Sequence, residues 1–389
     1  MARFSLGGPH DPGGALTARR PGHLFWPVTS LLRTCGLLFK SWPDYPSWPV
    51  TVAFRIVALG LAVSALVFSS GLCAGCLRRP APLERTEFMM DTVVTVKAFG
   101  ASQEALSEAF DVMRRVDALM NRYSEDSDIG LLNLHAGREP VRLSDDTMEC
   151  LEEAIRYAKI SDGAFDPTLG PLIDLWGIGK RADFIPSREE IERALKLRGI
   201  DKIVLDPKTE TGFLKVEGMK VDLGGIAKGF AVDRAALALK RRGIRSAIID
   251  AGGNVYVIGK KPDGSEWRVG IRHPRKSDRM IAVVEVSDTA VVTSGDYQRY
   301  FEKNGVRYHH IFDPATGEPA RKLISCTIIC PSSTRADALS TAVFVLGPDL
   351  GMDLVERLPD VEAVLVTPRG EVLVSSGLKA AGNVRVLPW

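Results

Sequence analysis

Asp337 and Thr341 stand four residues apart in ADALSTAVFVLG, a spacing that on a helix aims a carboxylate and a hydroxyl to one side. One charged and one neutral oxygen make a poor transition-metal site but a fair part of a Mg²⁺ site, where waters and substrate phosphates supply the other ligands. His309 and His310, in YHHIFDPATG downstream of TSGDYQRYF, are two of only six histidines in the chain. Alternation along a strand sends them to opposite faces, and a histidine here could serve proton transfer or equally be a satisfied sheet residue. VDLGGIAKGFAVD, residues 221–233, carries a strand through Gly224 and Gly225 into a helix start. Glycine lets backbone approach a pyrophosphate, and a helix N-terminus favours its charge. The segment is neither GxGxxG nor GxxxxGK[ST], so alone it is weak. GAFDPTLGPLIDLWGIGK, with Asp166 before Pro167, and DAGGNVYVIG are equally readable as turns.

These segments need elements to hold them. FMMDTVVTVKAFG reads as one strand, closed by Gly100. Apolar residues from Ala105 to Leu119 recur at three- and four-residue spacings behind Ser102, an expected N-cap. Ser144 to Ile160 is a second amphipathic helix, and SREEIERALKLRG a third, with Ser187 and Glu190 as a capping box. Strands and helices then alternate, including DKIVLD, GFLKVEGMKVDL, a helix from Ala227 to Arg242, ISCTIIC, and a helix from Ala336 to Val345. Short Gly, Asn and Asp turns between strands predict mostly antiparallel sheets with packed helices, an α+β fold.

Composition permits an enzyme and excludes several other classes. At 389 residues, 45% hydrophobic and 25% charged, the chain is globular rather than fibrous or disordered. Its net charge of +2 divides unevenly: residues 1–83 carry eight Lys/Arg and two acids, a net of +6, leaving 2 − 6 = −4 for residues 84–389. A mildly acidic domain argues against a nucleic-acid surface. Residues 1–55 form a basic Pro- and Trp-rich extension with no sustained period, and the expected true start lies later, near Val50 or Val52. Residues 56–77 hold no charge and follow Arg55, as in a signal or anchor segment. The stretch resembles a bacterial lipoprotein signal, which implies cleavage before Cys76 with lipid on its sulfur; that, or an uncleaved span, would place the domain of 84–389 outside the cytoplasm on the envelope membrane. Cys326 and Cys330 share one face of a strand and read as packed apolar residues rather than half a zinc site.

Taken in order, MDT at Met90, RYSEDSDIGLLN, GAFDPTLGPLIDLWGIG, VDLGGIAKGFAVD, DAGG, the run from Trp267 to Pro274, TSGDY, HHIFDPATG and ADALSTA resemble the ApbE family of FAD:protein FMN transferases. The resemblance covers nearly all of residues 84–389 and implies an ApbE-like, T-fold-like domain. It implies a Mg²⁺-dependent enzyme that takes FAD as substrate, attaches FMN through its phosphate to a Ser or Thr of an acceptor flavoprotein, and releases AMP. By that resemblance, FAD contacts fall on Met90, Tyr123, Ala164, Phe165, Asp166, Asp222, Lys228 and the backbone around Ile311. Magnesium falls on the Gly225 carbonyl, Asp337 and Thr341, and His310 takes the acceptor's proton, so that substitution of His309, on the opposite face of the strand, is expected to be nearly silent. The implied partner is a subunit of a membrane redox complex or an extracytoplasmic flavoprotein. A FAD pyrophosphatase releasing FMN to water, and a non-catalytic flavin-binding lipoprotein, are the rival readings.

Overall fold

The computed structural model describes residues 81–389 except 182 and 183, so the basic extension, the apolar segment 56–77 and Cys76 lie outside the described residues. Where the sequence pattern read one strand there are two, β1 (Pro82–Met89) and β2 (Thr92–Phe99), paired antiparallel. Met90 and Asp91 between them have φ of 53° and 56°, the conformation of a two-residue type I′ hairpin turn. No glycine or asparagine marks that turn, so the β-branched run conceals it.

Next come α1 (Gln103–Met120), α2 (Asp128–Leu134), the short β3 (Val141–Arg142), α3 (Asp145–Ile160), α4 (Gly170–Trp176) and α5 (Arg188–Lys196). Ser102 and Ser144 cap their helices through the side chain, and Ser187 with Glu190 forms the expected capping box. In contrast, α4 has no side-chain cap and begins Gly-Pro, which is why its sequence reads as a turn.

β4 (Ile203–Asp206) and β5 (Thr211–Leu214) follow, and the strand expected to continue to Leu223 ends at Leu214. Beyond it, Gly218 turns the chain with φ of 80°. Val221 then finds a side chain instead of a strand: its N–H donates to Asn133 Oδ1 at 2.6 Å, and its carbonyl accepts from Asn133 Nδ2 at 2.9 Å. The 220–222 stretch also bonds the loop before α4, through Gly170 N–H to the Lys220 carbonyl and Asp222 N–H to the Pro167 carbonyl. Two of the glycine-rich segments are thereby tied side by side.

The remainder comprises α6 (Ala227–Arg241), β6 (Ala247–Ala251), β7 (Asn254–Ile258), β8 (Trp267–Arg272), β9 (Met280–Val286), β10 (Thr289–Gly295), β11 (Tyr300–Lys303), β12 (Val306–His309), β13 (Ser325–Cys330), α7 (Ser333–Leu346), α8 (Pro348–Arg357), β14 (Glu362–Val366), β15 (Val372–Val374), α9 (Ser376–Ala381) and β16 (Val384–Val386). Eight strands make the central sheet in the order β1-β2-β6-β7-β10-β13-β14-β15, antiparallel at every junction. One face packs on helices, with Phe110, Met113, Leu239 and Phe344 in the core between them. The other face meets the three-stranded sheet β16-β9-β8 through Val257, Val291, Val364, Trp267 and Val284. The fold is thus α+β with antiparallel sheets, as expected. Cys326 and Cys330 lie together in the helix-side core as free thiols. Among the described residues no helix is long and apolar enough to cross a membrane.

Candidate functional site

One cavity of about 640 Å³ opens where the β1–β2 turn, the end of α1, the 164–169 loop, the start of α6, the end of β10 and the segment after β12 converge. Met90, Tyr123, Ala164, Phe165, Asp166, Asp222, Gly225, Lys228, His310, Ile311, Asp337 and Thr341 all line it. Residues spread over some 250 positions of sequence are brought to one cavity; Cys76 alone of the expected site residues lies outside the described residues.

At the heart of the site α6 and α7 are stapled together. Asp337 is buried and accepts a hydrogen bond from the Gly229 N–H at 2.9 Å, while Lys228 Nζ lies 3.5 Å from its other oxygen. A Cβ on Gly229 would come within 2.2 Å of the Ser333 carbonyl oxygen, so only glycine permits this approach. One turn further along α6, Asp233 accepts from Ser332 Oγ (2.8 Å), Ser333 N–H (2.8 Å), Thr334 N–H (2.9 Å) and Thr334 Oγ1 (2.7 Å), satisfying the first donors of α7. Asp233 ends the VDLGGIAKGFAVD segment, but no local pattern points to its partners, because its bonds span 99 or more positions.

Gly225 lies close to the Thr341 hydroxyl: a Cβ there would stand 3.3 Å from Thr341 Oγ1 and 3.1 Å from Phe165 Cε2. The donors that Asp337, Thr341 and the Gly225 carbonyl could offer in this cavity are all oxygen, with a single carboxylate. Among the described residues no group of three or more His, Cys, Asp or Glu could hold a metal. Such a set suits a hard cation that keeps waters and substrate phosphates, and fits Mg²⁺ better than a transition metal.

His310 lines the same cavity. Its N–H and its Nδ1 both lie 3.2 Å from the Arg299 carbonyl. A carbonyl only accepts, so Nδ1 carries the proton and the basic lone pair is on Nε2. Burial away from bulk water pushes the imidazole's pKa down to about 3, with the nearby His309, Arg299 and Lys228 acting in the same direction. It is therefore neutral at physiological pH. His309 is buried on the other side of the strand end, as alternation predicts, but it is not idle. Its Nε2 bonds the Ala320 carbonyl at 2.6 Å, Nδ1 accepts the Ile311 N–H at 3.3 Å, and the ring meets Phe344 edge-on at 5.6 Å. The expectation of a nearly silent His309 is corrected on this ground. Ile311 also has its carbonyl occupied, by the Ala320 N–H.

The outer part of the cavity is built around Arg122, which the sequence reading missed. Its guanidinium is buried, bonded to Asp222 Oδ2 at 3.1 Å and the Gly170 carbonyl at 3.2 Å, and paired with Asp174 at 2.9 Å. Those two carboxylates raise its pKa against the opposing effect of burial. Tyr123 is 56% exposed, with Lys180 Nζ 3.4 Å from its ring centroid and Arg122 Cζ at 4.9 Å. Phe165 is buried, whereas Asp166 spends its carboxylate on the loop, accepting from Thr168 N–H, Thr168 Oγ1 and Arg198. Met90 donates its N–H to Asp117 at 3.0 Å, which locks the hairpin turn over the cavity. Asn254, from the DAGGN turn, also lines the cavity, with a buried amide nitrogen that lacks a partner.

An antiparallel α+β scaffold that gathers an oxygen donor set, a neutral imidazole and an exposed aromatic in one cleft describes a group-transfer enzyme. The ApbE family profile matches residues 90–365, and the chain belongs to that family. A FAD:protein FMN transferase of Treponema pallidum is 36% identical over 337 residues, covering 82% of this chain and 92% of the relative. One from Vibrio cholerae is 34% identical, over 73% of this chain and 87% of its own. Among solved structures, the ApbE protein of Thermotoga maritima superposes with a TM-score of 0.71 at 37% identity, covering 77% of this chain and 98% of that one. The flavin transferase ApbE of Vibrio cholerae gives 0.70 at 31%, with 77% and 98% covered. The protein is a transferase enzyme with the ApbE flavin transferase fold.

Proposed function

We propose that the protein transfers FMN from FAD to a Ser or Thr hydroxyl of an acceptor flavoprotein, with Mg²⁺, and releases AMP. The observation that carries this reading is the placement, in one cavity, of the Asp337 carboxylate, the Thr341 hydroxyl and a His310 whose Nδ1 is engaged by the Arg299 carbonyl, which leaves Nε2 as the unprotonated nitrogen. The acceptor oxygen bonds to the FMN phosphorus while the bond from that phosphorus to the bridging oxygen breaks. AMP leaves with the bridging oxygen, and the hydroxyl proton passes to Nε2.

So weak a base does not strip an alcohol in advance; it accepts the proton as the new P–O bond forms. Gly225, Asp337 and Thr341 would hold Mg²⁺, which when bound draws charge from the diphosphate and eases departure of AMP. Lys228, already within reach of Asp337, provides a second positive charge for the phosphates, and Arg122 holds Asp222 in place. Tyr123, more than half exposed with Lys180 over its ring, borders the part of the cavity where one end of FAD would lie. The apolar segment 56–77 after Arg55 supports attachment of the domain to the envelope membrane, through Cys76 or an uncleaved span, facing an acceptor of a membrane redox complex or an extracytoplasmic flavoprotein.

Incubation with FAD, Mg²⁺ and an acceptor flavoprotein tests the reading. A fluorescent acceptor band with stoichiometric AMP is expected. Free FMN would mark a pyrophosphatase, and intact FAD a binding protein.

A further inference from the structure

On the outward face of β2, Val93, Thr95, Lys97 and Phe99 alternate with the buried Val94, Val96 and Ala98. At one end of this row Phe99 packs against Trp267, ring centroids 6.2 Å apart, so the three-stranded sheet covers it. The other end is open. Val93 is 55% exposed, and Phe88, directly opposite it on β1, is 74% exposed. Just beyond, the row turns polar in self-satisfied pairs: Thr86 with Thr95 at 2.9 Å, and Glu84 with Lys97 at 3.2 Å. The apolar area is therefore one cross-strand pair deep, and Phe88 itself lines the cavity that holds His310. The turn beside it is held by the Met90–Asp117 bond, so this surface is already formed.

We propose that the Phe88–Val93 pair is the docking surface for the acceptor protein, receiving an apolar side chain that neighbours the modified Ser or Thr. The inference rests on the transfer reading above. A hydroxyl that reaches Nε2 of His310 arrives on a polypeptide, and the chain flanking it must rest on the rim of the cleft. Near them the cleft also carries charge, with Asp91 paired to Arg299 at 3.6 Å and Lys180 over the exposed Tyr123 ring. Phe88 at the cavity and Val93 directly beside it form an exposed apolar pair continuous with the reaction site, where a flanking side chain of the acceptor would land. Burial of such a central apolar contact is what typically dominates recognition between proteins.

The test uses the full chain, FAD, Mg²⁺ and an acceptor flavoprotein that the wild type modifies. Val93 does not line the cavity, so Val93→Glu isolates docking from flavin binding. It is expected to raise the acceptor KM about tenfold or more, a cost of about 1.4 kcal/mol or above, with the FAD KM within about twofold. Phe88→Ser should also raise the acceptor KM. A photo-crosslinking p-benzoylphenylalanine at position 93 should capture the acceptor, and the same group at exposed Leu350 on α8 should not. Unchanged acceptor KM in both variants would overturn the proposal. An FAD KM rising in step with the acceptor KM would do so too, by assigning the pair to the flavin. If the wild type yields only free FMN, the transfer reading falls and docking with it, a result visible before any variant is compared.

Discussion

His310 and His309 are adjacent in sequence and opposite in duty, which makes them a sharp test of the site. His310→Ala should lower transfer by about two to four powers of ten while FAD affinity stays within a few fold, because a base acts on the acceptor hydroxyl. His309→Ala should instead lower stability, by about 1–3 kcal/mol for the unpaired Ala320 carbonyl with a further loss from the cavity left beside Phe344. Thermal melts alongside single-turnover kinetics separate the two. Equal effects of both variants on rate with unchanged melting would show that the two roles are misassigned. Asp337 calls for a gentler substitution than alanine, since its carboxylate also satisfies the buried Gly229 N–H. Asp337→Asn keeps an acceptor there and removes the charge. Transfer is expected to need much more Mg²⁺ in a protein that melts near the wild-type temperature. Full activity of the folded variant at low Mg²⁺ would remove Asp337 from the ligand set.

At the scale of elements, what the sequence revealed followed from where the controlling contacts lie. Caps at Ser102, Ser144 and Ser187 are local, within three residues of their partners, and were legible. The hairpin at Met90–Asp91 was hidden because non-glycine residues occupy the left-handed region, and the strand beyond Leu214 was over-extended because Asn133, 88 positions away, supplies its bonds. The site residues were found through motif resemblance, whereas Arg122 and Asp233 escaped because their roles come from partners distant in sequence. Asp233 carries its own prediction. It caps α7 one turn before Asp337, so Asp233→Ala should loosen the helix start, at about 0.5–2 kcal/mol, and displace the carboxylate from Gly229. Calorimetric titration should show weaker Mg²⁺ affinity, while riboflavin binding, which needs no phosphate contact, stays within about twofold. Unchanged Mg²⁺ affinity in this variant would confine Asp233 to helix capping.

Across the whole molecule, burial of histidine has a consequence for acid stability that reaches beyond catalysis. His273, His309 and His310 all have pKa values lowered chiefly by burial, that of His310 to about 3. In the unfolded chain each should titrate near about 6.5, so below that pH the unfolded state binds more protons than the folded one. Their contribution to stability is fully present above about 6.5 and is lost as pH falls toward the lowered folded values. The carboxylates held below their ordinary values, such as Glu190 in its capping box and Glu356 beside Ser376, act in the same direction but only below about 4.5. The interval from about 6.5 to 4.5 therefore belongs to the histidines. Urea midpoints for the purified protein should decline across that interval, and His310→Ala should decline less steeply because one of the groups that must be charged is gone. A wild-type midpoint that stays level from pH 7 to pH 5 would mean that the imidazoles keep ordinary pKa values in the fold. His310 would then titrate in the working range, and transfer would show an acid limb near pH 6.5; with the lowered value, kcat/KM of the free enzyme should stay flat through that pH.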